Sequence, residues 1–428
     1  MKELNSLNLL TTVRESFAKV KDTSRRKQYS LQDCLMSGYA LFSLKYASLL
    51  QFDQQVREDI IKHNLSQVYQ LKKIPSDTQF RERLDLCDPR ELRKTFRRLF
   101  ALCQRSKKLE YFKYYDDHYL LPLDGTGYFY SKEIHCEHCC EKHHKDGSIS
   151  YYHQMLCGVI AHPEQKVVLP FAPEMIMKGD GHKKNDCEHR AAERFLSDLQ
   201  REHPHLKVII TGDGLYPDGP FIKRLKQDKH HFILVAKEKD LKYLFEEFRA
   251  LPQQHYELKE DKVTHRFAFA NGHPLNDSHH DCPVNVLEYW EIHESGFQQH
   301  WVWVTDIELS EKNVFTLMRG GRTRHKIENE TFNTLKNQGY QFEHNFGHGY
   351  HNLSTVLAHL MLIAFFVDQL QQSGCKLFQK ALIRLHSKKS LWERLRSYFF
   401  NFFIDSIDDL WASLAHGHQG NKLTPNSS

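Results

Sequence analysis

The sequence predicts an α/β core that carries a mostly β insertion and is preceded by an all-α N-terminal region. Three observations carry this. Apolar positions recur at helical spacing through the first 110 residues. Strand-like runs then close up before alternating with helices. From residue 237 to 319 strand-like runs return with only one short helical stretch.

In residues 1–110, Leu7, Leu10, Val13 and Phe17 stand three and four apart, and the rhythm returns in residues 30–50 and 91–103. That reads as four or five helices. Pro75 and Pro89 break the run, each beside a Ser or Asp able to cap the next turn. This quarter holds 22 Lys and Arg against 13 Asp and Glu, a local +9 within a chain of net +5. Such an excess is either a solvated helical face or the electrostatic footprint of a nucleic-acid binder.

The core is expected over residues 111–236. HYLLPLD, GYFYS, ISYYHQMLCGVIA and KVVLPFA, separated by Gly, Asp and Pro, read as consecutive strands with turns. A helix follows to Glu202, with Asp186 as its N-cap and Ala192, Phe195, Leu196 and Leu199 as its buried stripe. Then come the strand HLKVIITGDG, a helix over residues 220–227 and the strand HFILVA. The insertion, 237–319, contains FAFA, VNVLEYWEIHE, HWVWVTDIEL and the short helical piece LKYLFEEFRA. Helices of the core return over 320–372, one near 322–338 and a strongly apolar one at 353–370. Residues 373–428 form a basic, aromatic, amphipathic C-terminal segment.

Composition is ordinary for a folded protein, at 40% apolar and 26% charged residues with Gly 20 and Pro 13. The start lacks the apolar h-region of a signal peptide and no apolar run reaches a bilayer-spanning length, so the expectation is a cytoplasmic protein without a membrane partner. In that compartment the ten cysteines are thiols or metal ligands rather than disulfides.

Three carboxylates suggest chemistry. Asp124 in LPLDGTG and Asp213 in VIITGDG each end a predicted strand and precede a Gly. Ligands of open α/β sheets gather beyond the carboxyl ends of strands. In GRTRHKIENETFNTLKNQ, Arg324, Glu328, Leu335 and Lys336 share a broad helical face, which aims Glu328 at the sheet between two cations; Glu330 points elsewhere.

Asp124, Asp213 and Glu328, with the stretches LDGTGYF, YYHQML, GDGLYPDGPFIKRL, WVWVTD and KIENETFNTLKNQGYQFEHNFGHG, resemble DDE insertion-sequence transposases. The resembling branch carries its last acid in a Tyr-Arg-Glu-Lys signature, on an RNase H-like catalytic core with a β insertion before that Glu. The resemblance implies an enzyme that cleaves element ends and joins them to target DNA, with Asp124, Asp213 and Glu328 as catalytic residues holding two Mg2+ (or Mn2+) ions. It implies that Arg324 and Lys336 contact DNA phosphates and that a homodimer forms in the DNA complex. The chain departs from the signature at Gly321, where the Tyr would fall, at His325, and at Lys336, one residue beyond the usual spacing; Glu330 is the fallback for the third acid. The alternative function is a zinc-stabilised, catalytically inactive DNA-binding protein of transposase descent.

A second cluster, IHCEHCCEKHHKDG, offers Cys136 and Cys139 as half of a structural Zn2+ site, with His144 as a third ligand and Cys187 available as a fourth; a metal-free turn is the other reading. His344, His348 and His351 in a Gly-rich loop also offer donors for a metal, but loop structure or a DNA contact is the favoured reading. No P-loop and no G-x-S-x-G motif occurs.

Overall fold

The apolar runs of residues 118–305 pair into one sheet. In the computed structural model, which describes residues 4–24, 28–178, 187–417 and 424–425, that sheet has twelve strands. They are β1 (Lys113–Tyr115), β2 (His118–Ser131), β3 (Cys140–His143), β4 (Ile149–Ile160), β5 (Leu169–Pro170), β6 (Glu174–Ile176), β7 (Val208–Gly212), β8 (His231–Val235), β9 (Gln254–Glu260), β10 (Val263–Pro274), β11 (Pro283–His293) and β12 (Gln298–Thr305). The main order is β3-β4-β2-β7-β8-β12-β11-β10-β9. β2, β7 and β8 run parallel, and the other ladders are antiparallel. The fold is mixed α/β, as expected.

Side-chain alternation divides the interior. Tyr119, Leu121, Val208, Ile210, Phe232 and Leu234 face the larger core, where the helix Glu188–Glu202 packs its stripe of Ala191, Ala192, Phe195, Leu196 and Leu199. Leu120, Ile209 and Ile233 face a smaller core closed by Trp303, Tyr289 and the helix Val314–Arg322. β7 is therefore buried along its whole length, which explains its unbroken apolar sequence.

The insertion does not form a sheet of its own. Trp303 and Val304 of β12 pair with Val235 and Leu234 of β8, so β9–β12 extend the main sheet. β9, QHYELKE, escapes sequence reading because its side chains are largely exposed and polar.

The first 110 residues hold the helices Ser6–Phe17, Leu31–Ser43, Leu49–Gln55, Asp59–Tyr69, Asp77–Asp85 and Arg93–Arg105. The helix expected over residues 30–50 ends at Ser43, and Lys45 turns the chain with φ 57°. These helices share their core with the rest of the chain. Phe42 meets Phe346, Tyr46 meets Phe400 and Phe96 stacks on Phe366. At their centre runs Leu353–Gly374, long and apolar enough to cross a bilayer by composition, but buried along nearly all of its length by protein. The C-terminal segment contributes Lys376–Leu385, Lys388–Asn401 and Ile407–His416 to the same core. Asp186, expected to cap the helix that begins at Glu188, lies outside the described residues; Cys187 precedes that helix.

Candidate active site

Parallel pairing aligns the first two acids. Pro122 of β2 lies beside Thr211 of β7, so two residues further along each chain Asp124 and Asp213 emerge at the same level of the sheet. Asp124 is not at a strand end, as the sequence suggested. β2 continues to Ser131, with an irregularity between Gly127 and Phe129, because its antiparallel partner β4 keeps pairing after β7 has finished. What ends beside Asp124 is the parallel neighbour β7, whose last residue is Gly212, just before Asp213.

The third acid arrives on a helix that differs from the expected one. The chain is helical over Val314–Arg322, forms a π-helical turn at Ile327–Phe332 and closes with Asn333–Asn337. Arg324 donates to Glu328 Oε1 at 3.0 Å and reaches Asp124 Oδ2 at 3.4 Å, so one guanidinium spans both carboxylates. Lys336 does not join them; its ammonium pairs with Glu343 at 2.8 Å. A π turn inserts an extra residue into the helical repeat, rotating everything beyond it by roughly 100° against an α-helical extrapolation. Glu330 lies among Lys326 and Lys388, away from Asp124.

The structure adds a fourth carboxylate. Glu188, the first residue of its helix, accepts a 2.6 Å hydrogen bond from Tyr216 Oη and approaches β2 so closely that a Cβ on Gly125 would lie 2.4 Å from its Oε2. A side chain at 125 would push that carboxylate, the movable end of Glu188, away from this position. In sequence, Glu188 carries no signal beyond a helix start.

Burial raises the Asp124 carboxyl from 3.8 to about 7; Arg324 opposes this, and Glu188, Glu328 and Asp213 add to it. Burial, reinforced by Glu188, also holds the Tyr216 phenol well above its ordinary range. Asp213 has Lys237 at 3.8 Å. Four carboxylates thus face two cations, Arg324 and Lys237. All the acids offer hard oxygen donors, the ligand type that suits Mg2+ or Mn2+.

Gly321, at the position of the signature Tyr, sits on the buried Trp303; a Cβ there would meet its Nε1 at 2.6 Å. Gly321→Ala should therefore cost roughly 1–3 kcal/mol by overpacking, read as a lower denaturation midpoint. An unchanged midpoint would show that Trp303 can move aside.

Cys136 and Cys139 come together as expected, with sulfurs 3.8 Å apart. His144 does not join them; it bonds Ser150 Oγ at 2.8 Å. The hairpin register explains this. Cys140 pairs with Tyr152 and His143 with Ile149, so the residue facing Cys139 is His153, while His144 belongs to the distant turn. Cys187 is exposed and also outside the cluster. The fourth member is His348, from the Gly-rich loop for which metal binding is the less favoured reading of the sequence. Cys136, Cys139, His153 and His348 place one donor atom each within 4.8 Å of one another. The neighbouring histidines go elsewhere, His351 to Glu137 and His344 against Phe346.

No protein-family model matches this chain, and no curated protein matches it either.

Proposed function

We propose that this protein is an insertion-sequence transposase of the DDE type, with an RNase H-like core that cuts element ends and joins them to target DNA. The observation that carries the proposal is the convergence of Asp124, Asp213 and Glu328, from β2, the end of β7 and the 327–332 turn: Arg324 spans Asp124 and Glu328, and the Asp213 charge acts on Asp124. The mixed sheet with β2, β7 and β8 parallel, and the β insertion lying before Glu328, support the same reading.

Asp124, Asp213 and Glu328, with Glu188 beside them, are the residues that would hold Mg2+ or Mn2+. When bound, the two ions stabilise the attacking and leaving oxygens of an in-line phosphoryl displacement. In the first step a water oxygen bonds to phosphorus while the bond to the 3′-oxygen breaks, leaving a 3′-OH. In the second step that 3′-OH attacks a target phosphodiester and displaces another 3′-oxygen. Arg324 and Lys237 line the crevice as cations for the flanking phosphates, which set position rather than sequence preference.

The test is to read the DNA on both sides of the gene for terminal inverted repeats and to assay divalent-metal-dependent nicking of DNA that carries them; absence of such repeats would count against the proposal. Glu328→Ala should abolish nicking and joining while leaving end binding intact, and Glu330→Ala should keep most of the activity. Near wild-type cleavage by Glu328→Ala would overturn the assignment. Arg324→Ala should reduce cleavage on the order of 100-fold, as loss of a preorganised donor does.

DNA binding is read on the whole chain, since the basic N-terminal helices share their core with residues beyond 340. If about six phosphates are contacted, affinity should fall roughly 10³-fold between about 50 and 200 mM salt. Salt-independent binding would remove the basic region from the interface.

A further inference from the structure

The strongest feature outside the carboxylate crevice is the convergence of two thiols and two imidazoles between the β3–β4 hairpin and the loop after the Glu328 helix. Tetrahedral zinc with bonds of about 2.3 Å to sulfur and about 2.0 Å to nitrogen sets its donors about 3.8 Å apart sulfur to sulfur, about 3.5 Å sulfur to nitrogen and about 3.3 Å nitrogen to nitrogen. Here the two sulfurs are 3.8 Å apart, and Cys136 Sγ lies 3.5 Å from His153 Nε2. Cys139 Sγ is 3.4 Å from both His153 Nε2 and His348 Nε2, and the two Nε2 atoms are 3.1 Å apart. These are five of the six edges of one metal-sized tetrahedron, and the sixth, between the Cys136 and His348 donors, is within 4.8 Å.

Hydrogen bonding agrees with the geometry. His348 Nδ1 bonds the Gly349 carbonyl at 3.1 Å, which fixes the ring with Nε2 turned toward the other donors. The Cys136 backbone N–H approaches Cys139 Sγ at 3.5 Å, a contact that stabilises a thiolate. The surroundings are closed and apolar. His153 stacks on Tyr128, His348 packs on Phe129, and both imidazoles and Cys139 are buried.

We propose that Cys136, Cys139, His153 and His348 form a structural Zn2+ site that fastens the loop carrying His348 to the β3–β4 hairpin. That loop joins the Glu328 helix to Leu353–Gly374. At its far end it is held by Asp85, whose carboxylate accepts backbone N–H groups of Tyr350, His351, Asn352 and Leu353 at 2.9–3.0 Å. Zinc supplies the second anchor. With all four positions taken by protein donors, the ion has no open site for substrate, so its role is structural.

The experiment uses the full chain, purified under reducing conditions without chelator. Metal analysis should find about one zinc per chain. After zinc removal, titration with Co2+ should give the visible absorption of tetrahedral cobalt with a thiolate charge-transfer band. His348→Ala should weaken that signal and lower the melting temperature, and His144→Ala should leave both unchanged. The proposal is overturned if the reduced wild-type chain neither contains zinc nor binds Co2+, or if thiol counting shows Cys136 and Cys139 joined as a disulfide. Because wild-type metal binding is the primary readout, a variant that fails to fold does not spoil the test. None of these measurements involves DNA, so they stand or fall apart from the transposase reading.

Discussion

On the proposed function, Asp124→Asn should reduce DNA cleavage by roughly 10³-fold, since metal-assisted stabilisation would supply several kcal/mol of the barrier. It should also make the metal-free protein more stable. Burial and the neighbouring carboxylates raise the Asp124 carboxyl to about 7 from 3.8, although Arg324 lies beside it. Between those two values the unfolded chain has lost the proton and the fold still holds it, so stability falls as pH rises through that window. Above about 7 the full penalty is present, and below about 4 it is absent. The displacement from 3.8 to about 7 corresponds to at most about 4 kcal/mol. The Asp124 side chain is 19% exposed but Glu328 is 45% exposed, so solvent screens the repulsion and roughly 1–3 kcal/mol is expected. Urea denaturation at pH 8 should show the Asn variant as the more stable, with the difference closing as pH falls toward 4. A variant less stable than wild type at pH 8 would mean that Arg324 stabilises the charged carboxylate more than burial penalises it.

The largest stability loss is expected from Asp368→Ala. Lys45 Nζ is wholly buried, 2.7 Å from Asp368 Oδ2, and also donates to the carbonyls of Phe42 and Ser43. It lies over the rings of Tyr340 and Trp392 at 4.1 and 4.3 Å, and Tyr340 Oη donates to the same carboxylate oxygen. Removing the carboxylate leaves a buried ammonium without its counter-ion, which costs about 3–5 kcal/mol. Burial already pulls the Lys45 ammonium below its ordinary 10.5, with Asp368 pulling it back. In the variant the fold binds that proton less tightly than the unfolded chain, so stability should recover as pH rises toward 10.5. The double replacement Lys45→Met with Asp368→Leu should recover most of that loss, because it removes both buried charges, but about 1–3 kcal/mol should remain since Tyr340 Oη loses its acceptor. A small effect of Asp368→Ala at neutral pH, in a melting experiment, would show that water reaches Lys45.

Periodicity alone was enough for the helical N-terminal region, the strands of the core and the β character of 263–305, because those signals are local. The same holds for Asp213, which follows a short apolar strand and a Gly. His153 was within reach of the sequence as well. Taking Lys145–Gly147 as the hairpin turn, residues equidistant from Asp146 pair, and 139 then falls opposite 153.

Other features depended on the tertiary structure. Glu188 reaches Asp124 only because its helix is laid against β2 at Gly125. Lys336 leaves the crevice because a π turn changes the helical phase, and no residue in IENETF announces that turn. His348, almost two hundred residues from His153, arrives by the packing of a loop held by Asp85. The N-terminal helices looked like a unit because their amphipathic stripes are complete. Which surface those stripes cover is not written in their spacing, and here it is the buried helix 353–374. Sequence determined which faces had to be covered and which acids stood beside strands, since both follow from neighbours along the chain. The partners of Glu188, Lys336 and His348 were decided by packing, which joins residues that periodicity cannot relate.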